Sequence, residues 1–425
     1  MSVSATPAAR LRVLLAGDFP ERPPMTVGGI QAVTWQLASG LADIGDFDVH
    51  TAACERFWHA PPARSWRCEW GGCTAHYRRT PRRIPHVVSS WTSDAEYVRS
   101  KIRSTGARLV HAHGQVGYTI GALRSGVPHV VTPHGMLLRE KHAPEGAGAL
   151  SGDRLRQVLW SATENWCLAH AKHVVVISPY VRRLIEPRTR AQLHDIPNPV
   201  DPAFFALERS ESLDPVLLSV GWLNDRKRHE LIVRALALVR ERMPNARLRI
   251  VGNVEAGDAR RLRRLQRLVA ELGLGGAVDF LHGLSHEQLL EEYRRASVYV
   301  HAAEEESSPV AVAQAMAAEL ALCAVQIPGL HHLLVEGHTG LYAREATPHA
   351  LAQAILAVLE NRSLARSLAL EARREARARF HPSVVAGATG DLYREVLAQA
   401  KRYSEPRQGR WQRRHGQAEG NPTGM

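Results

Sequence analysis

Short apolar runs alternate with amphipathic stretches along most of this chain. Such runs are typical of strands that are buried on both faces of a parallel sheet. They are Leu11–Ala16, Leu109–His111, His129–Thr132 and His173–Ile177 in the first half, and Val216–Val220, Arg247–Val251, Ala277–Phe280, Val298–His301 and Leu320–Val325 in the second. The repeated βα pattern predicts an α/β fold with two Rossmann-like domains.

Helical patterns lie between these runs, for example at Ile30–Ala42 and Asp153–His170. The proline-rich segment Ile196–Pro202 interrupts the alternation and marks a domain boundary. We predict a first domain over 1–200, a second domain over 201–380, a C-terminal helix over 381–402 that packs back towards the first domain, and a basic disordered tail over 403–425. A ligand would bind in the cleft between the domains, at the carboxyl ends of the strands.

The composition agrees with a cytoplasmic enzyme. Of 425 residues, 45% are hydrophobic and 23% are charged, which is ordinary for a globular protein of about two domains. The chain lacks a run of about 18 apolar residues, so no transmembrane helix is expected. Its first residues lack a signal-peptide pattern. The five cysteines match no strong zinc spacing, and reduced structural thiols are expected.

The net charge of +12 comes almost entirely from arginine. In the basic run Arg260–Arg267 the leucines are spaced for one buried helix face, which makes the arginines a solvated outer face rather than a nucleic-acid site. We expect no nucleic-acid partner. Weak peripheral contact with the inner face of an anionic membrane stays open as an alternative.

An acidic turn separates the predicted strand at Val298 from a helix that opens near Pro309. Ser307 and Ser308 are predicted N-caps of this helix. A helix N-terminus beside a carboxylate such as Glu306 suits a ligand with both phosphates and hydroxyls, as in a sugar nucleotide. The alternative is a solvated acidic turn.

Two glycine-containing turns and one lysine also suit phosphates. Gly28 and Gly29 open a helix, where backbone amides can approach a ligand closely, although a plain turn would look the same. Gly221 permits a tight turn before Lys227, which is predicted to open the next helix. A lysine at such a corner suits a diphosphate, and the alternative is a solvated charge.

Histidines end two of the predicted strands. His134 follows the strand His129–Thr132, so it faces the expected cleft and can donate to a substrate hydroxyl; the alternative is a structural loop histidine. His111 and His113 would share one face, but no carboxylate has matching spacing. A cleft-edge turn is therefore preferred to a metal pair. Motifs for a dinucleotide, a P-loop, a zinc protease and a serine hydrolase are lacking.

In order and spacing, a set of short motifs resembles the GT-B glycosyltransferases of family four (group 1). The motifs are Gly28-Gly29, Val110–Gly114, Thr132–Gly135, Val175–Ser178, Ile196–Asp201, Ser219–Lys227, Val251-Gly252, the E-x7-Q form of an E-x7-E signature at Glu306–Ala317, and Glu336–Gly340. The resemblance implies a nucleotide-sugar donor in the second domain and an acceptor in the first, where the segments Cys54–Arg83 and Leu137–Leu150 are interpreted as loops.

By the same resemblance, His134 and Glu306 are the catalytic candidates. The implied donor-binding residues are Gly28, Gly29, Gly221, Arg226, Lys227, Ser308, Pro309, Val310 and Gln314. Retention of anomeric configuration, and no metal or other cofactor, are implied as well. The chain departs from the family at three positions. An arginine is usual at Trp222, a glycine at Arg228 and a second glutamate at Gln314. Arg226 and Arg228 are candidates to replace the positive charge that is missing at Trp222.

The resulting hypothesis is a bacterial retaining, metal-independent hexosyltransferase in polysaccharide biosynthesis. It would move a hexose from a UDP- or GDP-sugar to a glycan, lipid-linked or small-molecule acceptor. Two alternatives are a GT-B sugar-nucleotide epimerase and a non-catalytic sugar-nucleotide-binding subunit of a transferase complex. The second is motivated by Trp222 and Gln314.

Overall fold

The computed structural model describes residues 10–25, 28–57, 64–81, 86–114, 116–135, 152–209, 215–253 and 259–404. Within these ranges the chain forms two separate sheets, one of eight strands and one of six. Helices cover both sheets and enclose their apolar side chains. This architecture confirms the predicted α/β class with two Rossmann-like sheets.

The first sheet is built from the first half of the chain. Its strands are β1 (Leu11–Ala16), β2 (Phe47–Phe57), β3 (Arg64–Trp70), β4 (Cys73–Pro81), β5 (Leu109–His113), β6 (His129–Thr132), β7 (His173–Val176) and β8 (Gln192–Asp195). The described helices are α1 (Gly29–Ile44), α2 (His86–Thr105), α3 (Val116–Leu123), α4 (Gly152–His170) and α5 (Pro179–Ile185). The strand order is β3-β4-β2-β1-β5-β6-β7-β8, and only β3 and β4 pair antiparallel.

The second sheet is parallel throughout. Its strands are β9 (Val216–Val220), β10 (Arg247–Val251), β11 (Val278–Leu281), β12 (Val298–His301), β13 (Ala321–Val325) and β14 (Leu341–Ala343). The described helices are α6 (Pro202–Phe205), α7 (His229–Arg242), α8 (Ala259–Glu271), α9 (His286–Arg295), α10 (Val310–Ala317), α11 (Pro348–Glu360), α12 (Arg362–Phe380) and α13 (Pro382–Ser404). The strand order is β11-β10-β9-β12-β13-β14.

Each sheet reverses its winding direction beside its first strand. β1 lies between β2 and β5, and β9 lies between β10 and β12. In open parallel sheets, ligands bind in the crevice that forms where the strand order reverses, outside the carboxyl ends of the strands. The loops that follow β1, β5, β9 and β12 are therefore the positions where a site is expected.

All nine strands predicted from apolar runs are present, with ends shifted by at most two residues. The interpretation of Cys54–Arg83 as loop is wrong, because β2 extends to Phe57 and β3 and β4 form a hairpin. β3 lies at the sheet edge with every second side chain exposed, so it lacks a continuous apolar run. Its turn, Gly71-Gly72, has positive φ at both residues (50° and 76°) and was the available hairpin signal. Leu137–Leu150 lies outside the described residues.

The last helix, α13, packs against α1 and the first sheet. A Cβ placed on Gly40 of α1 would lie 2.9 Å from the Cβ of Ala386, and Tyr393 is fully buried among residues of the first sheet. Helix α13 extends to Ser404, two residues into the segment predicted as a disordered tail. The rest of that segment lies outside the described residues.

Helix α8 has the predicted two-sided character. Leu265 and Leu268 are buried, whereas Arg263 and Arg264 are exposed on the outer face. The basic run is thus accounted for by an amphipathic helix. None of the helices that the structure describes is long and apolar enough to cross a membrane. All five cysteines are free thiols.

Candidate active site

The loops after β9 and β12 are neighbours at the carboxyl edge of the second sheet. After β9, Asn224 caps a single 3-10 turn, Asp225–Lys227, through an Oδ1 that accepts from the Lys227 amide at 3.2 Å. Helix α7 begins only at His229, so the prediction that Lys227 opens the helix is wrong. A Cβ on Gly221 would lie 3.0 Å from Lys227 Cε. Glycine at this position therefore lets the lysine stem pass close to the backbone.

Lys227 meets Glu306 from the neighbouring loop. Its Nζ donates to Glu306 Oε1, and Arg226 Nη1 lies 3.8 Å from Glu306 Oε2. Glu306 is 8% exposed. Burial raises the pKa of its carboxyl, but Lys227 and the other nearby cationic groups outweigh this, and the net shift is downward. Glu306 is thus a buried carboxylate held by cations, which excludes the solvated-turn alternative for this residue.

His301, at the end of β12, lies beside this pair with Nε2 3.9 Å from Glu306 Oε1. Burial, reinforced by the charge of Lys227, lowers its pKa to about 4. His301 is therefore neutral at physiological pH, and the charges of the cluster are those of Lys227, Arg226 and Glu306.

The three consecutive glutamates have three different environments. Glu304 is exposed and Glu305 accepts from the Tyr180 hydroxyl of the first domain. Glu306 faces inward. One step further, the Ser307 carbonyl accepts from Ser178 Oγ at 2.7 Å. The start of α5 thus holds the acidic turn in place from across the cleft.

The predicted serine N-caps are wrong. Helix α10 has Pro309 as its N-cap residue and no side-chain cap. The Ser308 hydroxyl pairs with His332 Nε2 at 3.1 Å. Among the described residues, no side chain caps the first amides of α10, which begin with that of Val310, and these amides are available to an anion.

Gly28 and Gly29 lie opposite these loops. A Cβ on Gly29 would lie 3.5 Å from Val310 Cγ2, and one on Gly28 would lie 3.8 Å from Trp222 Nε1. The glycine turn that opens α1 therefore faces the second domain. Trp222 places its indole ring next to this glycine turn.

Gln314, the residue in place of the second signature glutamate, is half-buried on α10. Its Oε1 accepts from the Tyr293 hydroxyl at 3.2 Å. The carboxamide amino group and the second lone pair of Oε1 then remain for a ligand to engage.

His134 follows β6 and is half-buried. Its Nε2 lies 3.0 Å from Nδ1 of His113, and the two rings stack with centroids 5.3 Å apart. Burial lowers the pKa of His134 to about 4. Since β5 extends to His113, both His111 and His113 are buried strand residues, and the expected cleft-edge turn begins only after them.

Within the described ranges, no group of three or more His, Cys, Asp or Glu side chains could hold a metal ion. Residues that support the site but were missed from sequence include Asn224, Ser178, Tyr180, Tyr293 and His332. The first belongs to a recognisable cap position; the others reach the site only through tertiary contacts.

Comparison with known proteins assigns the family. Residues 27–204 match the model of Glycosyltransferase Family 4, and residues 203–375 match that of Glycosyl transferases group 1. The chain belongs to the family-four, group 1 glycosyltransferases. This confirms the predicted family and the predicted enzyme class.

Relatives and solved structures agree with this assignment. A D-inositol 3-phosphate glycosyltransferase of Nocardia farcinica is 29% identical over 85% of this chain and 84% of its own length. One from Thermobispora bispora is 26% identical over 88% and 91%. The structure of sucrose-phosphate synthase from Thermosynechococcus elongatus superposes with a TM-score of 0.72 and 25% identity, covering 92% of this chain and 100% of that one. The GT-B fold is confirmed.

One departure of this glycosyltransferase from the family pattern has a visible backbone consequence. Arg228, in the position usual for glycine, has φ 51° and ψ 43°. This left-handed conformation costs a non-glycine residue about 1 kcal/mol or more.

Proposed function

We propose that this glycosyltransferase moves a hexose from a UDP- or GDP-sugar to a glycan, lipid-linked or small-molecule acceptor, with retention of configuration and without a metal. The observation that carries the proposal is the Lys227–Glu306 pair where β9 and β12 end. A cation and a carboxylate placed side by side fit a donor that offers a diphosphate next to sugar hydroxyls.

In the proposed complex, Lys227 and Arg226 contact the diphosphate and neutralise the charge that develops as the nucleotide leaves. The uncapped start of α10, at Val310, supplies backbone donors to the same group. Glu306 accepts from sugar hydroxyls and Gln314 engages the ribose. Anabaena HepE, whose fold is similar (TM-score 0.65, 16% identity), has been solved in complex with UDP-glucose, which supports a nucleotide sugar as donor.

On the acceptor side, His134 approaches the sugar from the first domain. Because its pKa is about 4, its neutral imidazole would act as a hydrogen-bond donor or acceptor rather than as a cation. The relatives named as D-inositol 3-phosphate glycosyltransferases make that compound the first small-molecule acceptor to test. The proposed location is the cytoplasm, with weak contact to the inner membrane face and no nucleic-acid partner.

Calorimetric titration with UDP, GDP and ADP and their sugars, in the presence of a chelator, tests the donor site. We expect one nucleotide to bind clearly, with an affinity that falls at least about tenfold in Lys227→Ala, since a charged hydrogen bond contributes about 1.5–3 kcal/mol. Lys101→Ala, a half-buried lysine on α2 of the first domain, is the matched control. Equal binding by both variants would remove Lys227 from the donor site.

Product analysis then tests the reaction. Donor incubated with D-inositol 3-phosphate, or with a panel of glycan and lipid-linked acceptors, should give a glycoside whose anomeric configuration equals that of the donor by NMR. Donor incubated alone should give no epimer. An inverted product would contradict retention, and an epimer without acceptor would favour the epimerase alternative.

A further inference from the structure

Three histidines stack in a row from the cleft into the first domain. His134 stacks on His113, and His113 lies 4.1 Å from His111 between ring centroids. His111 is held at both nitrogens: Nδ1 lies 2.7 Å from the Tyr393 hydroxyl of α13, and Nε2 lies 2.6 Å from Thr132 Oγ1. The inner end of the row is therefore fixed by two hydrogen bonds.

All three rings are neutral at physiological pH. Burial lowers the pKa of His111 to about 3 and that of His134 to about 4, and it lowers the pKa of His113 well below its ordinary value. A neutral imidazole carries one proton, so of its two nitrogens one donates and the other accepts. In the His113–His134 hydrogen bond, one ring must donate and the other must accept.

The environment of His113 decides the direction of that bond. Its Nε2 is buried and has no hydrogen-bond partner among the residues that the structure describes. A buried N–H without an acceptor is rarer and more costly than a buried lone pair without a donor. The proton of His113 therefore belongs on Nδ1, which faces His134 Nε2 at 3.0 Å.

We infer that His113 is a positioning residue that donates from Nδ1 to His134 Nε2 and so holds His134 as the Nδ1–H tautomer. Nδ1 of His134 is then always a hydrogen-bond donor, and it suits an oxygen of the sugar or of the diphosphate as acceptor. The tautomer rests on the burial and hydrogen-bond geometry of the rings, whereas its use in the reaction rests on the proposed function.

Histidine-selective 15N labelling with long-range 1H–15N NMR reads the tautomer directly. The signals of His134 are assigned by their loss in His134→Asn. We expect wild type at pH 7.5 to show a protonated Nδ1 and an unprotonated Nε2 for His134. A protonated Nε2 in wild type would overturn the inference, whether or not any acceptor is found.

Two substitutions separate positioning from packing. His113→Phe keeps a ring in the stack but removes the donor, and His134 should then shift towards a mixture of tautomers. His113→Gln keeps an N–H donor and should restore part of the wild-type pattern. His349→Phe, on the exposed face of α11, is the control and should leave the signals of His134 unchanged. An unchanged tautomer in a folded His113→Phe would also contradict the inference.

Once an acceptor is known, kinetics give a second readout. His113→Phe should lower kcat about tenfold with little change in the KM for donor. Misplacing a reacting group can lower the rate ~100-fold, and we expect a smaller loss because only the orientation of His134 changes. His113→Gln should recover part of that loss. If transfer is never detected but the tautomer is as expected, the proposed function fails while the inference about His113 stands.

Discussion

The two sides of the cleft bury titratable groups in opposite ways. In the second domain, Glu306 stays ionised below the surface because Lys227 donates to it and Arg226 lies near. In the first domain, His111 and His113 are buried and His134 is half-buried; none of them pairs with a charged side chain in the part of the chain that the structure describes, and all three are neutral. Both groups lie at or just beyond the carboxyl ends of parallel strands.

This difference follows from how each side meets the cost of burial. Removing a charge from water costs several kcal/mol, which either a partner of opposite sign or loss of the charge can offset. The stability of the charged cluster in the second domain depends on every charged member being present. The stability of the neutral histidines in the first domain depends on their hydrogen bonds and on pH. The charged cluster suits the binding of a diphosphate, and the neutral histidines suit a hydrogen-bond donor whose direction is fixed.

The largest effect is expected from removing one charge of the pair. Glu306→Gln leaves Lys227 without its carboxylate and should lower the free energy of unfolding by about 3 kcal/mol. Combining it with Lys227→Met should recover a large part of that loss, since neither charge then remains unpaired. Urea denaturation of both single variants and the double variant measures the coupling. Additive losses would mean that the two side chains are independent.

As the pH falls, the buried neutral histidines of the first domain should lose their contribution to the free energy of unfolding before Glu306 does. The histidines have folded-state pKa values below their unfolded values, so their contribution is present above about pH 6.5 and is lost as the pH falls towards 4. Glu306 also has a lowered pKa, but its contribution is lost only below about pH 4.5. Between pH 6.5 and 5 the histidines should therefore lower the free energy of unfolding, while Glu55, whose pKa burial and Glu21 raise to about 7, opposes that fall.

The variant His111→Gln measures how much of this loss of stability comes from the row of three histidines. Glutamine keeps a hydrogen-bonding group but cannot titrate, so the slope of the free energy of unfolding against pH should drop by up to about 1.4 kcal/mol per pH unit. His349→Gln, at an exposed position, should leave the slope unchanged. Equal slopes in wild type and His111→Gln would show that His111 is not buried as a neutral ring.

A smaller effect is expected at the ribose position. Gln314→Glu restores a charged acceptor next to Tyr293 and should tighten nucleotide binding by about 1 kcal/mol, roughly fivefold. Calorimetry measures this, with Gln353→Glu on the exposed face of α11 as the control. Weaker binding would mean that the amide donates to the ligand and that the substitution is an adaptation of this chain.

The last effect, of similar size, concerns Arg228 and its left-handed backbone. Arg228→Gly should stabilise the fold by about 1 kcal/mol, whereas Arg234→Gly in the middle of α7 should destabilise it by a similar amount. The shift of the urea midpoint distinguishes the two. A loss of nucleotide affinity in Arg228→Gly would show that its charge replaces the arginine absent at Trp222.

Apolar runs were sufficient to predict nine strands, because strands buried on both faces need continuous apolar side chains whatever their neighbours. Strand β3 was missed, since an edge strand needs only one covered face and its alternating Arg and Trp side chains do not form an apolar run. The prediction of Ser308 as an N-cap failed for a different reason: its hydroxyl, the group that would cap the helix, pairs with the tertiary partner His332.

The sequence alone predicted the fold class and the family, since these depend on periodicity and short motifs. It also placed three site residues after strand ends: Lys227, Glu306 and His134. Tertiary structure decided which groups touch: Lys227 with Glu306 across neighbouring loops, and His134 with His113 across neighbouring strands. It also decided which groups are charged, because charge state depends on burial and on partners distant in the chain. Chemistry at this cleft follows from both.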